Sequence, residues 1–349
     1  MQVRGRCGTL LHHRRRSEDH GQGRRRTSRP RLDGRAGHAR QTIALIEEAG
    51  RQDVRLVGFG EVWLPGYPFT IWLQPPMAAM DVVMAHRANA ITVDGPEMKA
   101  IGEAAARAGT WVMLGFAERD RGSIYCAQAL IDDRGEVVMS RRKLKPTHME
   151  RTVWGEGPVT DITVVDTPLG KIGGLCCWEN LQPISRQGMY QLGEQIHVAC
   201  WPSFGMFKGV RQAYALSAEA NTNECASYAL QGGCFVLSAG SIIPEADIER
   251  ICMGNPEAMA MVSAGGGAAA VFGPDGYRLT DPLDEHEDGL AVADIDLSMI
   301  EGAKVFADPA GHYFRPDVAR HVLDAQAGPI SANPPAAPAP LKAVEEDVA

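Results

Sequence analysis

Between residues 42 and 49 apolar positions return at helical spacing: Ile43, Ile46 and Ala49 share one face, and Gly50 stops the run. The unbroken apolar stretch 54–59 that follows predicts a buried strand. The device repeats at 97–108, a helix with Met98, Ile101 and Ala105 inward and Gly109 as its stop, backed by a strand at 111–116. Strands then follow without helices, at 126–131 and 137–140, around a turn at Asp132-Asp133-Arg134-Gly135. Further strands are expected at 162–165, 171–176, 196–199, 234–239, 268–272 and 290–295, with helices at 183–192 and over much of 211–230. Helix blocks mixed with hairpins imply sheets covered by helices in one domain.

The two ends have a different texture. Residues 1–40 show neither helical nor strand periodicity, and runs such as Arg14-Arg15-Arg16 leave no core-facing surface, so this arm is expected to be a solvated, disordered tail. From about Ala325 onward, five prolines among alanines preclude a regular element. The chain therefore divides into an arginine-rich arm (1–40), a folded body (41–324) and a disordered Pro/Ala-rich tail (325–349).

Composition narrows the function. With 45% hydrophobic and 22% charged residues in 349, the chain is that of an ordinary soluble protein. The net charge of −8 hides twelve arginines against Glu18, Asp19 and Asp33 in the arm, +9, which leaves −17 on the rest. An acidic body speaks against a nucleic-acid partner. The uncharged stretch 225–244 is divided by Gln231-Gly232-Gly233 and reads as helix, turn and strand, so no membrane span is expected. Eight cysteines without a C-x-x-C pair or a neighbouring His pair point to free thiols and a cytoplasmic location, not to disulfides or zinc.

Three reactive residues stand where predicted strands stop, the usual place for function in sheet proteins. Glu61 precedes Val62-Trp63-Leu64-Pro65-Gly66-Tyr67-Pro68, whose aromatics would bury the carboxylate and raise its pKa into the range of a base; alone it could equally be a solvated strand-end residue. Lys143 lies in a basic run that is ordinarily wet surface, though Glu150 seven residues on is able to pair with it. Cys177 closes a strand ahead of a helix, where a thiol can meet substrate; the common fate of a cysteine is to be a small core residue, and Cys126, Cys200, Cys225, Cys234 and Cys252 are assigned to it.

Together these segments are more specific than their parts. F-x-E at 59–61, R-K-x-x-P-T at 142–147 and G-x-x-C-W-E at 174–179 resemble, in order and spacing, the nitrilase superfamily. The resemblance is strongest to its nitrilase branch, through residues 60–68, 143–157 and 199–204 and the late segment 308–317, and it covers about Gln41 to Leu323. It implies a single-domain, four-layer α-β-β-α sandwich. It also implies a catalytic set of Glu61, Lys143 and Cys177 supported by Glu150, with Cys177 preferred to Cys176 because Trp and Glu directly follow the reactive cysteine in the family motif. The implied reaction takes an organic nitrile and water to acid and ammonia through a thioimidate and a thioester, with no metal or organic cofactor. An amidase or carbamoylase of the same superfamily, or a non-catalytic filament-forming scaffold, are the alternatives. Tyr67, Trp178 and Trp201 are expected to line a substrate pocket, and family members associate as homodimers or longer spirals.

Two departures stand out. Asn180 occupies a position where nitrilases often have His. The arm stands where family members carry a core strand ending in a V-Q-x-x-P type segment, so an open sheet edge is expected there; its look of a frame-shifted gene suggests that the native chain begins with such a strand.

Overall fold

Strands buried on both faces organise the molecule. The computed structural model describes residues 4–11, 35–208, 211–281, 283, 285–286 and 289–325. Its strands in chain order are β1 (Arg4–Leu11), β2 (Val54–Gly58), β3 (Trp111–Asp120), β4 (Ser123–Ile131), β5 (Val137–Arg142), β6 (Val164–Thr167), β7 (Gly170–Cys176), β8 (Ile196–Cys200), β9 (Phe235–Ala239), β10 (Ala270–Phe272) and β11 (Gly289–Asp296). They form two sheets, ordered β11-β1-β2-β3-β4-β5 and β10-β9-β8-β7-β6. The helices that matter for the site are α1 (Arg35–Arg51), α2 (Met80–Asn89), α3 (Pro96–Ala108), α4 (Pro183–Gln191) and α5 (Ala218–Gly232).

Alternation along each strand builds the layers. On the first sheet Val57, Val112, Leu114 and Phe116 point outward onto Ile46 and Ala49 of α1 and Met98, Ile101 and Ala105 of α3. Their neighbours Leu56, Trp111 and Met113 point the other way, onto Ile172, Val198, Phe235 and Leu237 of the second sheet. That sheet turns Leu175, Ala199 and Val236 onto Met189 and Tyr190 of α4 and Cys225, Tyr228 and Ala229 of α5. The result is the expected four-layer α-β-β-α sandwich. Gly109 ends α3 in the left-handed conformation at φ 63°, as its position after the last helical turn predicts. The uncharged stretch after Cys225 is the end of α5, a turn at Gly233 and β9, and no helix among the described residues is long and apolar enough to cross a membrane.

The arm requires a correction. Residues 4–11 are not an aperiodic tail but β1, lying between β2, with which it runs parallel, and β11, with which it runs antiparallel. The expected open edge is therefore filled, and α1 begins at Arg35, inside the span assigned to the arm. Backbone N–H and C=O groups make a ladder whatever the side chains, so a strand flanked on both sides does not need the apolar alternation by which strands are found in sequence. The Pro/Ala-rich tail beyond Ala325 lies outside the described residues. The chain divides into two compact units after Ala310, and the second carries a helix at Pro316–Ala325.

Candidate active site

Glu61, Lys143 and Cys177 each follow the last residues of a strand, β2, β5 and β7 respectively, and the sandwich brings these three ends together. Glu61 is pressed into place by two glycines. A side chain on Gly60 would meet the Trp201 carbonyl at 2.7 Å and one on Gly115 would meet the Gly60 carbonyl at 2.1 Å, so only glycine lets the turn close on β3. The Glu61 N–H then donates to the Trp201 carbonyl at 3.0 Å.

The lysine links the two carboxylates. Lys143 Nζ donates to Glu61 Oε1 at 2.8 Å and to Glu150 Oε2 at 2.7 Å, all three being buried. An ammonium has three hydrogens, so one remains for a further acceptor. Glu150 is held at both oxygens: Oε2 also takes the Thr147 N–H at 2.7 Å in a capping box, and Oε1 takes the Tyr67 hydroxyl at 2.8 Å. Glu61 is not. Its Oε1 accepts from Lys143 and from the Cys126 thiol at 3.0 Å, while Oε2 has no hydrogen-bond partner among the described residues. A buried carboxylate oxygen left open is costly unless something else is meant to use it.

Electrostatics separates the roles further. Burial pushes Glu61 up from 4.5 to about 7, against the pull of Lys143. Burial works against charge on Lys143 too, but Glu150 and Glu61 outweigh it and hold the ammonium well above its usual range. Burial, reinforced by Glu61, pushes the Cys177 thiol well up, while Lys143 and the Trp178 N–H oppose that shift. Cys177 therefore rests as a thiol within the field of a lysine and beside a carboxyl whose free form is a base.

Backbone strain gathers at the same place. Val62, His148 and Cys177 are non-glycine residues at φ 47°, the left-handed region, and they stand at or within two residues of Glu61, Glu150 and the thiol. For a β-branched valine this is a strong outlier. Such conformations cost about 1–3 kcal/mol each and persist where surrounding structure imposes them.

One interaction that braces the site was missed in the sequence. Arg141, two residues before Lys143, forms a buried two-pronged pair with Glu179, two residues after Cys177, at 2.8 and 2.9 Å. Glu179 also accepts the N–H groups of Leu144 and Cys176, and Arg141 reaches Gln128 Oε1 and the Asp161 carbonyl. Burial disfavours the Glu179 charge, yet Arg141 and the two N–H groups hold its carboxyl below the usual range. One ion pair thus fastens the elbow after β7 to the end of β5, and with it the thiol to the lysine. Arg141→Ala strands a buried carboxylate and is expected to cost about 3–5 kcal/mol, measured by urea denaturation. A loss under about 1 kcal/mol would show that the pair does not fasten the two elbows.

The thiol opens onto a pocket walled by Tyr67, Phe69, Trp72, Trp178, Met206 and Leu216, which Glu150 and Cys177 also line. Two of the three expected pocket residues are there. Tyr67 lines it with its ring, its hydroxyl committed to Glu150 and accepting from Trp72 Nε1 at 2.8 Å. Trp178 lines it as well. Trp201 does not: its ring is fully buried against Phe204 in the core under α5, because the strand end at Cys200 turns that side chain outward from the sheets' interface. Cys126, assigned to the core, is buried as expected, but its thiol also touches Glu61.

Glu61, Cys126 and Cys176 bring ligand atoms within 4.8 Å of one another. This donor set does not suit a cation. The Lys143 ammonium already stands on Glu61, and burial pushes both thiols up, away from the thiolates that a metal needs.

A thiol, an ammonium and two carboxylates at the strand ends of an α-β-β-α sandwich define a class of protein. The sequence profile of the carbon-nitrogen hydrolases matches residues 34–305. The chain belongs to that family, the nitrilase superfamily, and to its nitrilase branch. A nitrilase of Pseudomonas syringae pv. syringae is 43% identical over 305 residues, which span 87% of this chain and 90% of that one. An arylacetone-specific nitrilase of Alcaligenes faecalis is 42% identical over 284 residues, 81% of this chain and 79% of that one. Among solved structures, a carbon-nitrogen hydrolase of Helicobacter pylori G27 superposes with a TM-score of 0.70 at 16% identity, covering 92% of this chain and 98% of that one, which shows the shared fold.

Proposed function

We propose that the protein is a nitrilase that converts an organic nitrile and two waters to a carboxylic acid and ammonia. The observation that carries the reading is the open oxygen of a buried Glu61 beside a thiol held in the field of Lys143. Nitrilases 41–43% identical over most of the chain support it. Glu61 Oε2 takes the proton of Cys177 as Sγ attacks the nitrile carbon, and the nitrogen, gaining that proton, becomes a thioimidate. Water activated by Glu61 adds to the same carbon, and ammonia leaves from the tetrahedral adduct to give a thioester. A second water, activated in the same way, breaks the C–S bond, releases the acid and returns the proton to Cys177. The remaining Lys143 hydrogen and the Trp178 N–H face the charge that develops at each addition, and Glu150 fixes the lysine. Tyr67 and Trp178 bind the substrate side chain by apolar contact.

Ammonia release over a panel of aliphatic, arylacetonitrile and benzonitrile substrates tests the reading. Acid and ammonia from at least one nitrile is the expected result. Release from the matching amides only would make it an amidase, and release from neither a scaffold. Cys126, Cys176, Cys177, Cys200, Cys225, Cys234 and Cys252 are free thiols, in keeping with a cytoplasmic enzyme. The same proposal includes self-association as a homodimer or longer spiral. Ile184 in α4 and Leu192 just after it, Tyr214 in the helical turn Arg211–Leu216 and Leu230 in α5 are exposed apolar residues available to it. Light scattering at micromolar concentration is expected to show a dimer or larger species; a monomer alone removes this part.

A further inference from the structure

Behind the nucleophile's elbow, away from the pocket, lies a second cluster of buried polar groups that the reaction above does not use. Asn180 belongs to the helical turn Cys177–Leu181. Its Nδ2 donates to the carbonyl of Cys177 at 2.8 Å and to that of Leu175 at 3.3 Å. Two carbonyl oxygens can face only the amide nitrogen, so the side chain has one orientation, with Oδ1 turned toward His197 Nε2 at 2.8 Å. An oxygen acceptor there requires that Nε2 carry its hydrogen. On the other side of the ring, Nδ1 lies 2.8 Å from Glu194 Oε1, and Glu194 Oε2 accepts the Tyr228 hydroxyl at 2.7 Å. Tyr228 stacks on the imidazole with ring centroids 3.9 Å apart. The Glu194 and His197 side chains are fully shielded, and Asn180 and Tyr228 are buried.

The bonds have a direction. One hydrogen is shared between Glu194 and Nδ1, Nε2–H is directed at Asn180, and the Asn180 amide is directed at the Cys177 carbonyl. We propose that Asn180, oriented by the Glu194–His197 pair, is the positioning residue for the nucleophile: it holds the Cys177 carbonyl so that the left-handed backbone at φ 47° keeps Sγ beside Lys143. The proposal rests on Cys177 being the nucleophile. It differs from simple core packing in what it requires of one ring nitrogen and of the thiol's reactivity. Arg141 and Glu179 fasten the elbow as a whole, whereas Asn180 acts on the peptide of the reactive residue itself.

Asn180→Asp is nearly isosteric. It keeps an oxygen for His197 but places a second oxygen against the Cys177 carbonyl. Three readouts are compared with the unaltered protein: alkylation of Cys177 by iodoacetamide, followed by mass spectrometry; kcat and KM on a turned-over nitrile; and Tm. The expected result is a fall of about 10–100-fold in both alkylation rate and kcat, with KM within about threefold, because a misplaced reacting atom costs rate before it costs binding. A folded variant that alkylates and turns over within twofold of the unaltered protein overturns the proposal. Should Asn180→Asp not fold, ¹⁵N NMR of the histidine-labelled, unaltered chain decides, with His197→Gln used to assign the signal. A hydrogen on Nε2 upholds the bond order, and a bare Nε2 means that the amide is reversed and overturns it. An unaltered chain that alkylates at Cys177 but turns over no nitrile sinks the nitrilase reading alone, since the alkylation and NMR arms need no nitrile.

Discussion

Cys177→Ala is expected to remove nitrile turnover altogether, a loss of more than about 10⁴-fold, with no change in the fold, whereas Cys176→Ala keeps its activity. The two thiols are adjacent, and strand geometry tells them apart. Cys176 is the last residue of β7 and sends its side chain into a buried cluster with Val62, Ile124 and Cys126. Cys177 begins the turn, and its left-handed backbone swings the next side chain to the pocket, where it is only partly buried. Loss of the Cys176 sulfur leaves a small cavity worth about 1 kcal/mol, visible as a modest drop in Tm. Mass spectrometry after brief exposure to substrate should find the adduct on the Cys177 peptide fragment. An adduct on Cys176, or turnover surviving in Cys177→Ala, would move the nucleophile elsewhere.

How much of this site was visible in the sequence follows from what each residue does. Glu61 and Cys177 could be found because each ends an apolar run, where a charge or thiol is conspicuous, whereas Lys143, in a basic run, could be found only from its place at a strand end and from the R-K-x-x-P-T motif. Glu150 could be found from its spacing to Lys143, and its Thr147-x-x-Glu150 capping box was a further local signal. Arg141 and Glu179 could not. They are 38 residues apart, Arg141 in β5 and Glu179 in the turn after β7; Arg141 sits in a basic run that looks like surface, and the C-W-E motif marks Glu179 without showing what it pairs with. Nothing in periodicity distinguishes an arginine that will be sealed between two sheets from one that will be wet. The Glu194, His197 and Asn180 chain is hidden for the same reason, since its members come from a loop, a strand and a turn. Trp201 was misplaced because an aromatic after a strand end can fall on either side of the sheet.

The fold shows a similar division. Buried strands and helices with one apolar face were readable, and β3, β4 and β5 differ from expectation mainly by extending further at one or both ends. Helix α2 was not read because among its residues only His86 is buried, which leaves no apolar stripe to detect. Strand β1 was missed because its place is set by β2 and β11 on either side.

Glu61→Gln is expected to lower kcat by about 10²–10⁴-fold and, more tellingly, to flatten the pH profile. The carboxyl must be ionised to take the proton of Cys177, and burial raises its pKa from 4.5 to about 7. Activity of the unaltered protein should therefore climb with pH and reach half its plateau near 7. At pH 5 only about one site in a hundred would be ionised, a loss of about 100-fold from the plateau. The direction follows from the base being the deprotonated form; a catalytic acid with the same pKa would give a falling profile. Glutamine preserves the packing, because its oxygen can still accept from Lys143 and from Cys126 in place of Oε1. Its nitrogen, however, stands where Oε2 was open, and so presents a donor to a proton that needs an acceptor. What residual turnover remains has no titrating base and should vary little between pH 5 and about 8. If instead Glu61→Gln kept the rise through pH 7, another group would own that titration. Glu150, whose two oxygens are each already engaged by Lys143, Thr147 or Tyr67, lacks the wholly open oxygen that Glu61 presents to the proton.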